Sequence, residues 1–272
     1  MRTVQSGSAP AHSRIAASWR RSLDKHGLDP GAHSAPHRVD ETQLRQRREE
    51  IGSFLQIAAP KLDQLFGLVG QSGCTVILTD ADGVVLDQRC TAADDGVFFR
   101  NGGLCQGADW SEAAVGTNGI GTCLAEERTV IIHGREHFLA RNSNMSCMDA
   151  PIYGPDGRIA GALDVSSARS DQTEAFNRLI AAMVAQTARQ IEVDTFRAAF
   201  PNARIVYADS GGTEPAVLLA VDADDIVVGA TRAARKAFDL GPTGAIKPLP
   251  AADLLGRDDG HSGFEKKPKG LR

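Results

Sequence analysis

Residues 75–86 read Thr75-Val76-Ile77-Leu78-Thr79-Asp80-Ala81-Asp82-Gly83-Val84-Val85-Leu86. Two short apolar runs bracket an acid-and-glycine turn, which predicts a β-hairpin. The pattern returns further on, where strands over about 146–153 and 159–166 are joined through Gly154-Pro155-Asp156-Gly157. Between the two hairpins, Thr129-Val130-Ile131-Ile132 is β-branched and predicts a buried strand. Helical patterns flank this strand-rich stretch on both sides, so the sequence indicates an α+β fold around an antiparallel sheet.

Upstream, Ile15, Trp19 and Leu23 recur every four residues, with Ser13 as a possible cap and Gly27 as a stop, which predicts an amphipathic helix. A linker over 28–36 follows. A second helical stretch covers about 40–68, and Pro60 is expected to interrupt or kink it. Residues 92–109 read as loop. Downstream, Ser170 is positioned to cap a long helix to about Ala199, with Phe176, Leu179, Ile180, Met183, Val184, Ile191 and Phe196 at helical spacing. That length leaves three readings open: a helical hairpin, a dimer seam, or one helix with a single face on the sheet.

Beyond Pro201 the first hairpin is echoed by a run over 216–221, the turn Asp222-Ala223-Asp224-Asp225, the run Ile226-Val227-Val228-Gly229 and a helix from Thr231 to Phe238. This suggests a second, cut-short sheet module. Residues 241–272 hold ten Gly or Pro in 32 positions and are expected to lack structure.

The stretch over 110–124, WSEAAVGTNGIGTCL, sits between ordered segments. Gly116, Gly119 and Gly121 allow close backbone approach, and Thr117 or Asn118 can cap a helix through Ile120 and Leu124. A helix start presents unpaired N–H groups, so this loop could seat a carboxylate or other polar ligand group; simple punctuation between two helices is the alternative.

Composition narrows the classes. The 42% hydrophobic content supports a core, and only 5% aromatic content means that Val, Ile, Leu and Ala must build it. The net charge is −4 and unevenly spread: residues 1–50 carry nine Lys or Arg against six acids, 256–272 five against three, and the centre 16 against 25. An acidic centre argues against a nucleic-acid surface there. No signal-peptide pattern and no run of roughly 18 apolar residues is present, so a cytoplasmic protein without a membrane span is expected. Cys74, Cys90, Cys105, Cys123 and Cys147 are an odd number at irregular gaps and read as reduced, mostly buried thiols.

Taken in order, the helix carrying Ile15 and Trp19, TDADGVVL, WSEAAVGTNGIGT, HGREHF and CMDAPIYGPDGRIAGALDVS resemble the sensory half of the acetoin-catabolism regulator family. These are sigma-54-dependent, Fis-type bacterial transcription activators with an amino-terminal GAF domain. The resemblance covers about residues 12–240. It implies a GAF-like antiparallel sheet flanked by helices, with N-terminal helices over 1–70, the sensor over 71–200, a small truncated PAS-like element over 201–240 and a disordered tail over 241–272. By the same likeness Trp110, Glu112, Gly116, Thr117, Asn118, Gly119 and Gly121 occupy the central motif, and His137, Cys147, Pro151, Gly157, Gly161 and Asp164 the later one. The residues expected to touch a small organic effector are Trp110, Glu112, Thr117, Asn118, Gly119, Gly121, His137, Cys147 and Asp164.

The departure is that the chain holds no Gly-Lys pair, hence no phosphate loop, and no patterned recognition helix. DNA or transcription machinery is therefore expected as a partner only through a part not seen in this chain, alongside a homodimer contact. No cofactor and no metal are expected: His133 and His137 are four apart, but His133 closes a strand and is followed by glycine. Arg135, Glu136, Arg141 and Asn142 read as a polar lid or a solvated loop. No serine elbow or HExxH is present, and the DADG turn accounts for Asp80 and Asp82. The expectation is a binder without catalytic residues. The alternative is a cysteine-dependent redox enzyme of the methionine sulfoxide reductase type, with Cys90, Cys105 and Cys123 as candidates.

Overall fold

The computed structural model describes residues 14–33, 35–91, 94–169, 172–208 and 216–255. The expected caps Ser13 and Ser170 lie outside them. The described residues fall into two units, one running to Ile152 and resuming over Ala160–Ala188, the other made of Tyr153–Ile159 and the chain from Arg189 on.

In the first unit, helix α1 (Arg14–Arg20) widens into a π turn at Arg21–Lys25 and stops at Gly27, whose φ is +63°. Helices α2 (Glu41–Glu50) and α3 (Gly52–Val69) follow. Asp40 caps α2 by accepting from the Gln43 amide at 2.8 Å. The break in this stretch falls at Ile51, where φ is −116° and ψ 27°, and not at Pro60, which sits inside α3. Pro60 and Gln56 are both exposed. The proline thus sits on the exposed side of α3, where its ring and the lost hydrogen bond are better tolerated.

Five strands form one sheet in the order β2-β1-β5-β4-β3: β1 (Cys74–Thr79), β2 (Val85–Arg89), β3 (Val130–His133), β4 (Ser146–Tyr153) and β5 (Ile159–Ser167). β1 pairs antiparallel with β2 and, through Val76↔Val165 and Ile77↔Asp164, with β5. Alternation along β1 sends Val76 and Leu78 to one face and Ile77 to the other. Helix α3 packs on β1, burying Phe54, Ala58, Leu62, Leu65 and Val69 at helical spacing. Ile77 joins the opposite core with Trp110, Val115, Ile120, Phe138, Met145 and Cys147.

The fully buried strand expected at 129–132 is instead an edge strand in which only Ile132 is buried. The loop expected at 92–109 contains helix α4 (Asp94–Asn101), ended by Gly103 at φ +81°. Among its described side chains Phe99, 1% exposed, is the deep anchor, and two turns are too short to show a clear period. Two further helices, α5 (Glu112–Val115) and α6 (Gly119–Glu126), come from the glycine-rich stretch. Helix α7 (Glu174–Ala199) is continuous over 26 residues.

The second unit contains the three-stranded sheet β6-β7-β8, with β6 at Arg204–Ala208, β7 at Val217–Val221 and β8 at Val227–Ala230, followed by α8 (Arg232–Phe238). The sequence reading places this module over 201–240 but names no strand before Ala216, so it omits β6. The echo of the first hairpin is exact in its hydrogen bonds. Asp80 Oδ1 accepts from the Asp82 and Val84 amides at 3.0 and 2.9 Å, and Asp222 Oδ1 accepts from the Asp224 and Ile226 amides at 3.0 and 2.9 Å. Residues 241–255, expected to be unstructured, pack on this sheet: Val227 N–H donates to Leu249 O at 2.9 Å, and α9 (Ala251–Leu255) places Ala251, Leu254 and Leu255 in its core. The rest of that expected tail lies outside the described residues.

Candidate functional site

The glycine-rich loop is held from within. Trp110 is 1% exposed and its indole N–H donates to Gly103 O at 3.0 Å. Asn118 caps α6, accepting from the Gly121 amide at 2.9 Å while its own amide donates to Trp110 O and Gly116 O at 3.0 and 2.8 Å. A Cβ on Gly121 would collide with the backbone of Ser111 and Glu112, so only glycine lets α5 and α6 approach this closely.

Glu112, 6% exposed, is the anchor for α1. Arg21 grips its carboxylate with two N–H groups, Nε to Oε2 at 2.7 Å and Nη2 to Oε1 at 2.9 Å, and reaches Glu126 Oε1 through Nη1 at 2.8 Å. The Ser18 hydroxyl donates to Glu112 Oε1 and lies 2.7 Å from Thr117 Oγ1 and 3.2 Å from Thr122 Oγ1. The Glu112 hydrogen bond is the main cause that raises the Arg21 pKa further. Ser18 and Arg21 are absent from the sequence-based site. Their only signal is that Ser18 and Ser22 are four apart on the buried side of a helix whose apolar residues suggest a different stripe.

A second group lies on β4 and β5, on the sheet face that carries Ile77. His137 Nδ1 lies 3.0 Å from Gly134 O. A carbonyl only accepts, so Nδ1 carries the hydrogen and Nε2 is free to accept from the Cys147 thiol at 3.3 Å. Ser166 Oγ is 3.1 Å from Cys147 Sγ and donates to Asp164 Oδ2 at 2.9 Å. Asp149 and Asp164 are both fully buried. Burial raises the pKa of both: Asp164 reaches about 7, while Asp149 is pushed well up by burial and then by the Asp164 charge. Burial also lowers His137 to about 4 and raises the Cys123 and Cys147 thiols well above their ordinary range, with the two carboxylates adding to the effect.

Near neutral pH this cluster is polar but carries little charge: a neutral imidazole, two thiols, a protonated Asp149 carboxyl and an Asp164 carboxyl near the middle of its titration. It can exchange hydrogen bonds with a small polar group, and its thiols are not activated as nucleophiles. Among the described residues no set of three His, Cys, Asp or Glu side chains is placed to hold a metal ion. His133 turns to Ser146 Oγ at 2.6 Å. The structure thus brings His137, Cys147 and Asp164 together, with Gly119 against Cys147 and Asp149. Glu112 and Thr117 face α1 instead, and Trp110 and Asn118 brace the loop. Asp149 and Ser166 were not foreseen, although both lie inside CMDAPIYGPDGRIAGALDVS, and β alternation from Cys147 and Asp164 points to them.

Residues 4–193 match the model described as MimR, N-terminal domain. The chain belongs to that family. It is 33% identical over 252 residues to the acetoin catabolism regulatory protein of Cupriavidus necator, covering 91% of this chain and 37% of the relative. It is 35% identical over 160 residues to the acetoin dehydrogenase operon transcriptional activator AcoR of Bacillus subtilis, covering 58% of the chain and 26% of the relative. Against the propane 2-monooxygenase operon transcriptional activator MimR of Mycolicibacterium smegmatis the figures are 30% over 155 residues, 57% and 25%. The chain therefore spans well under half the length of these relatives, and what it shares with them is the sensory amino-terminal region of transcription activators. In fold it is similar to the E. coli DhaR(N)–DhaL complex structure, with a TM-score of 0.61 at 15% identity over 89% of this chain and 81% of that one. That likeness agrees with the α+β architecture. Among the described residues no helix is long and apolar enough to cross a membrane.

Proposed function

We propose that these residues form a GAF-type sensor of a transcription activator, binding a small organic effector and passing its presence to α1. The observation that carries this reading is the position of the Gly119 end of α6. One side of that segment rests on Asp149 and Cys147. Its other side reaches α1 through Glu112, Thr117 and Thr122. An effector that exchanges hydrogen bonds with His137, Cys147 or the Asp149–Asp164 pair would displace α6, and the Glu112 network would carry that displacement to Ser18 and Arg21. The relatives' names place two of them with acetoin catabolism, which makes small ketones, aldehydes and hydroxy-compounds the first effectors to try. DNA and the transcription machinery would be reached through other parts of a longer protein.

A homodimer completes the proposal, and Leu68 on α3 and Leu179 on α7, 64% and 60% exposed, are the first positions to test for its contact. The test is a thermal-shift screen of those compounds, followed by titration of Trp19 fluorescence. Trp19 packs against Phe138 with ring centroids 5.0 Å apart and planes tilted by 59°, and donates to Glu136 O at 2.7 Å, so it reports on α1. A compound that raises Tm and changes Trp19 emission, with both effects lost in Asp149→Asn, supports the reading. No Tm change with any compound of the screen counts against it.

A further inference from the structure

Arg141 and Asn142 lie in the short turn Ala140–Asn142, between Leu139 and Met145, which belong to the core that also holds Trp110 and Phe138. Much of the backbone of the turn is paired. Ala140 N–H donates to Pro30 O at 3.0 Å, Asn142 N–H to Leu139 O at 2.9 Å and Met145 N–H to Asn142 O at 3.0 Å. The side chains are a different matter. Arg141 Nε, Arg141 Nη2 and Asn142 Nδ2 are buried and have no acceptor.

Buried donors are almost always paired, so three orphans on two adjacent residues need a reason. Their identity supplies one. Nε and Nη2 form the side edge of the guanidinium, where two N–H bonds run parallel and match the two oxygens of a carboxylate. Asn142, 3% exposed, cannot turn its amide to water. Other arginines find acceptors: Arg21 has Glu112, Arg47 has Asp80, Arg89 has Asp63 and Asp87, and Arg235 donates to the Ala230 and Gly244 carbonyls, leaving one nitrogen without a partner. The sequence holds 34 acids against 30 Lys and Arg, yet among the described residues none is placed at Arg141. Burial lowers the Arg141 pKa, but an arginine keeps its charge, so the cost is met by an acceptor and not by loss of the proton.

We propose that Arg141 and Asn142 form a binding site for a small monocarboxylate, the Arg141 side edge taking both oxygens and the Asn142 amide adding a third donor. Leu139 and Met145 flank the turn in the core on which Leu28 and Ala32 also pack, so its neighbours are apolar and suit a short aliphatic or aromatic body better than a polar one. The assignment does not rest on the effector reading above, since its donors lie on the 140–142 turn and not on the sheet.

The test uses the full chain, with propionate and benzoate as probes, propionamide and benzamide as neutral controls and inorganic phosphate as a tetrahedral oxyanion. Calorimetry gives affinity, and the Arg141 Nε–H resonance in a ¹⁵N–¹H spectrum reads the fork directly. The carboxylates should bind and move that resonance downfield, while the amides should do neither. Arg141→Gln should weaken carboxylate binding about tenfold or more, and Arg141→Lys, which keeps the charge and loses the fork, should restore only part of it. An Nε–H resonance unmoved at saturating carboxylate would overturn the site. So would phosphate binding as tightly as benzoate, or Arg141→Gln binding as tightly as the parent. If Arg141→Gln does not fold, the Nε–H shift in the parent protein decides alone.

Discussion

Gly119 stands against Asp149 so closely that a Cβ on it would overlap the Asp149 carboxylate and come within 2.5 Å of the Cys147 Cβ. The N-terminal end of α6 is thereby laid directly on the buried acid pair of β4 and β5. Gly119→Ala should cost about 1–3 kcal/mol, because neither the strand backbone nor the helix start can yield without breaking the Asn118 cap. Gly67→Ala is the control: its Cβ meets nothing within 4 Å, and it lies on the exposed side of α3. That change should stabilise by about 0.5–1 kcal/mol. Urea unfolding of both variants checks the contrast, and equal effects would contradict the packing.

The grip of Arg21 on Glu112 makes a second prediction. Glu112 is 6% exposed, so Arg21→Ala leaves a buried carboxylate with only hydroxyl partners, at a cost of about 3–5 kcal/mol. Arg21→Ala combined with Glu112→Ala should cost less than the two singles added, with a coupling of about 1–3 kcal/mol. Hydrogen exchange should also show that the single Arg21 change speeds exchange over residues 14–33 far more than over β1 and β5. Uniform acceleration would mean that Arg21 supports the whole unit and not the docking of α1.

The acid pair and His137 give opposing pH dependences. Asp164 is raised from 3.8 to about 7 and Asp149 is raised with it, so the folded state holds protons that the unfolded chain releases. Their contribution to stability is complete below about pH 4 and is lost as pH rises through 7. His137 is lowered from 6.5 to about 4, so its contribution is present above pH 6.5 and lost as pH falls through 4. The two partly cancel in the parent protein. Replacing both Asp149 and Asp164 by Asn removes one arm. Relative to the parent, the double variant should gain stability between pH 4 and pH 8, on the order of 4 kcal/mol. Denaturant midpoints at the two pH values measure it; an unchanged difference would place the protons elsewhere.

The sheet was legible because its strands are β-branched and its turns carry a structural aspartate, as Asp80 and Asp222 show with the same bonds. Helix α4 and strand β6 were not, since the deep anchor of one among its described side chains is Phe99 and the other, carrying Tyr207 at 57% exposure, is half in solvent. Within the site, the motif residues could be named but their directions could not. Glu112 and Thr117 look like ligand contacts in a glycine-rich loop until α1 is seen to be 91 to 99 residues away in sequence and in contact with them. Partners at such a separation leave no periodic signal. The orphaned donors of Arg141 are likewise invisible in a one-dimensional pattern, because the sequence shows the arginine and not the absence of an acid beside it.

The five cysteines allow a last prediction that bears on the redox alternative. Cys74, Cys123 and Cys147 are buried, whereas Cys90 and Cys105 are half-buried. Cys123 and Cys147 have thiols pushed well up by burial and by two neighbouring carboxyls. A thiol must be ionised and reachable to react, so both conditions fail at these two positions. A thiol-specific reagent at neutral pH should modify Cys90 and Cys105 in the folded protein and reach Cys74, Cys123 and Cys147 only at the rate of unfolding. Mass spectrometry of the labelled peptides over time reads this directly. Native-state modification of Cys123 or Cys147 at a rate matching Cys90 would show that the α6 end of the sheet opens to solvent, and would reopen a redox role for those thiols. Protection of both, together with labelling of Cys147 that a compound from the effector screen slows more than labelling of Cys74, would support binding of that compound near β4.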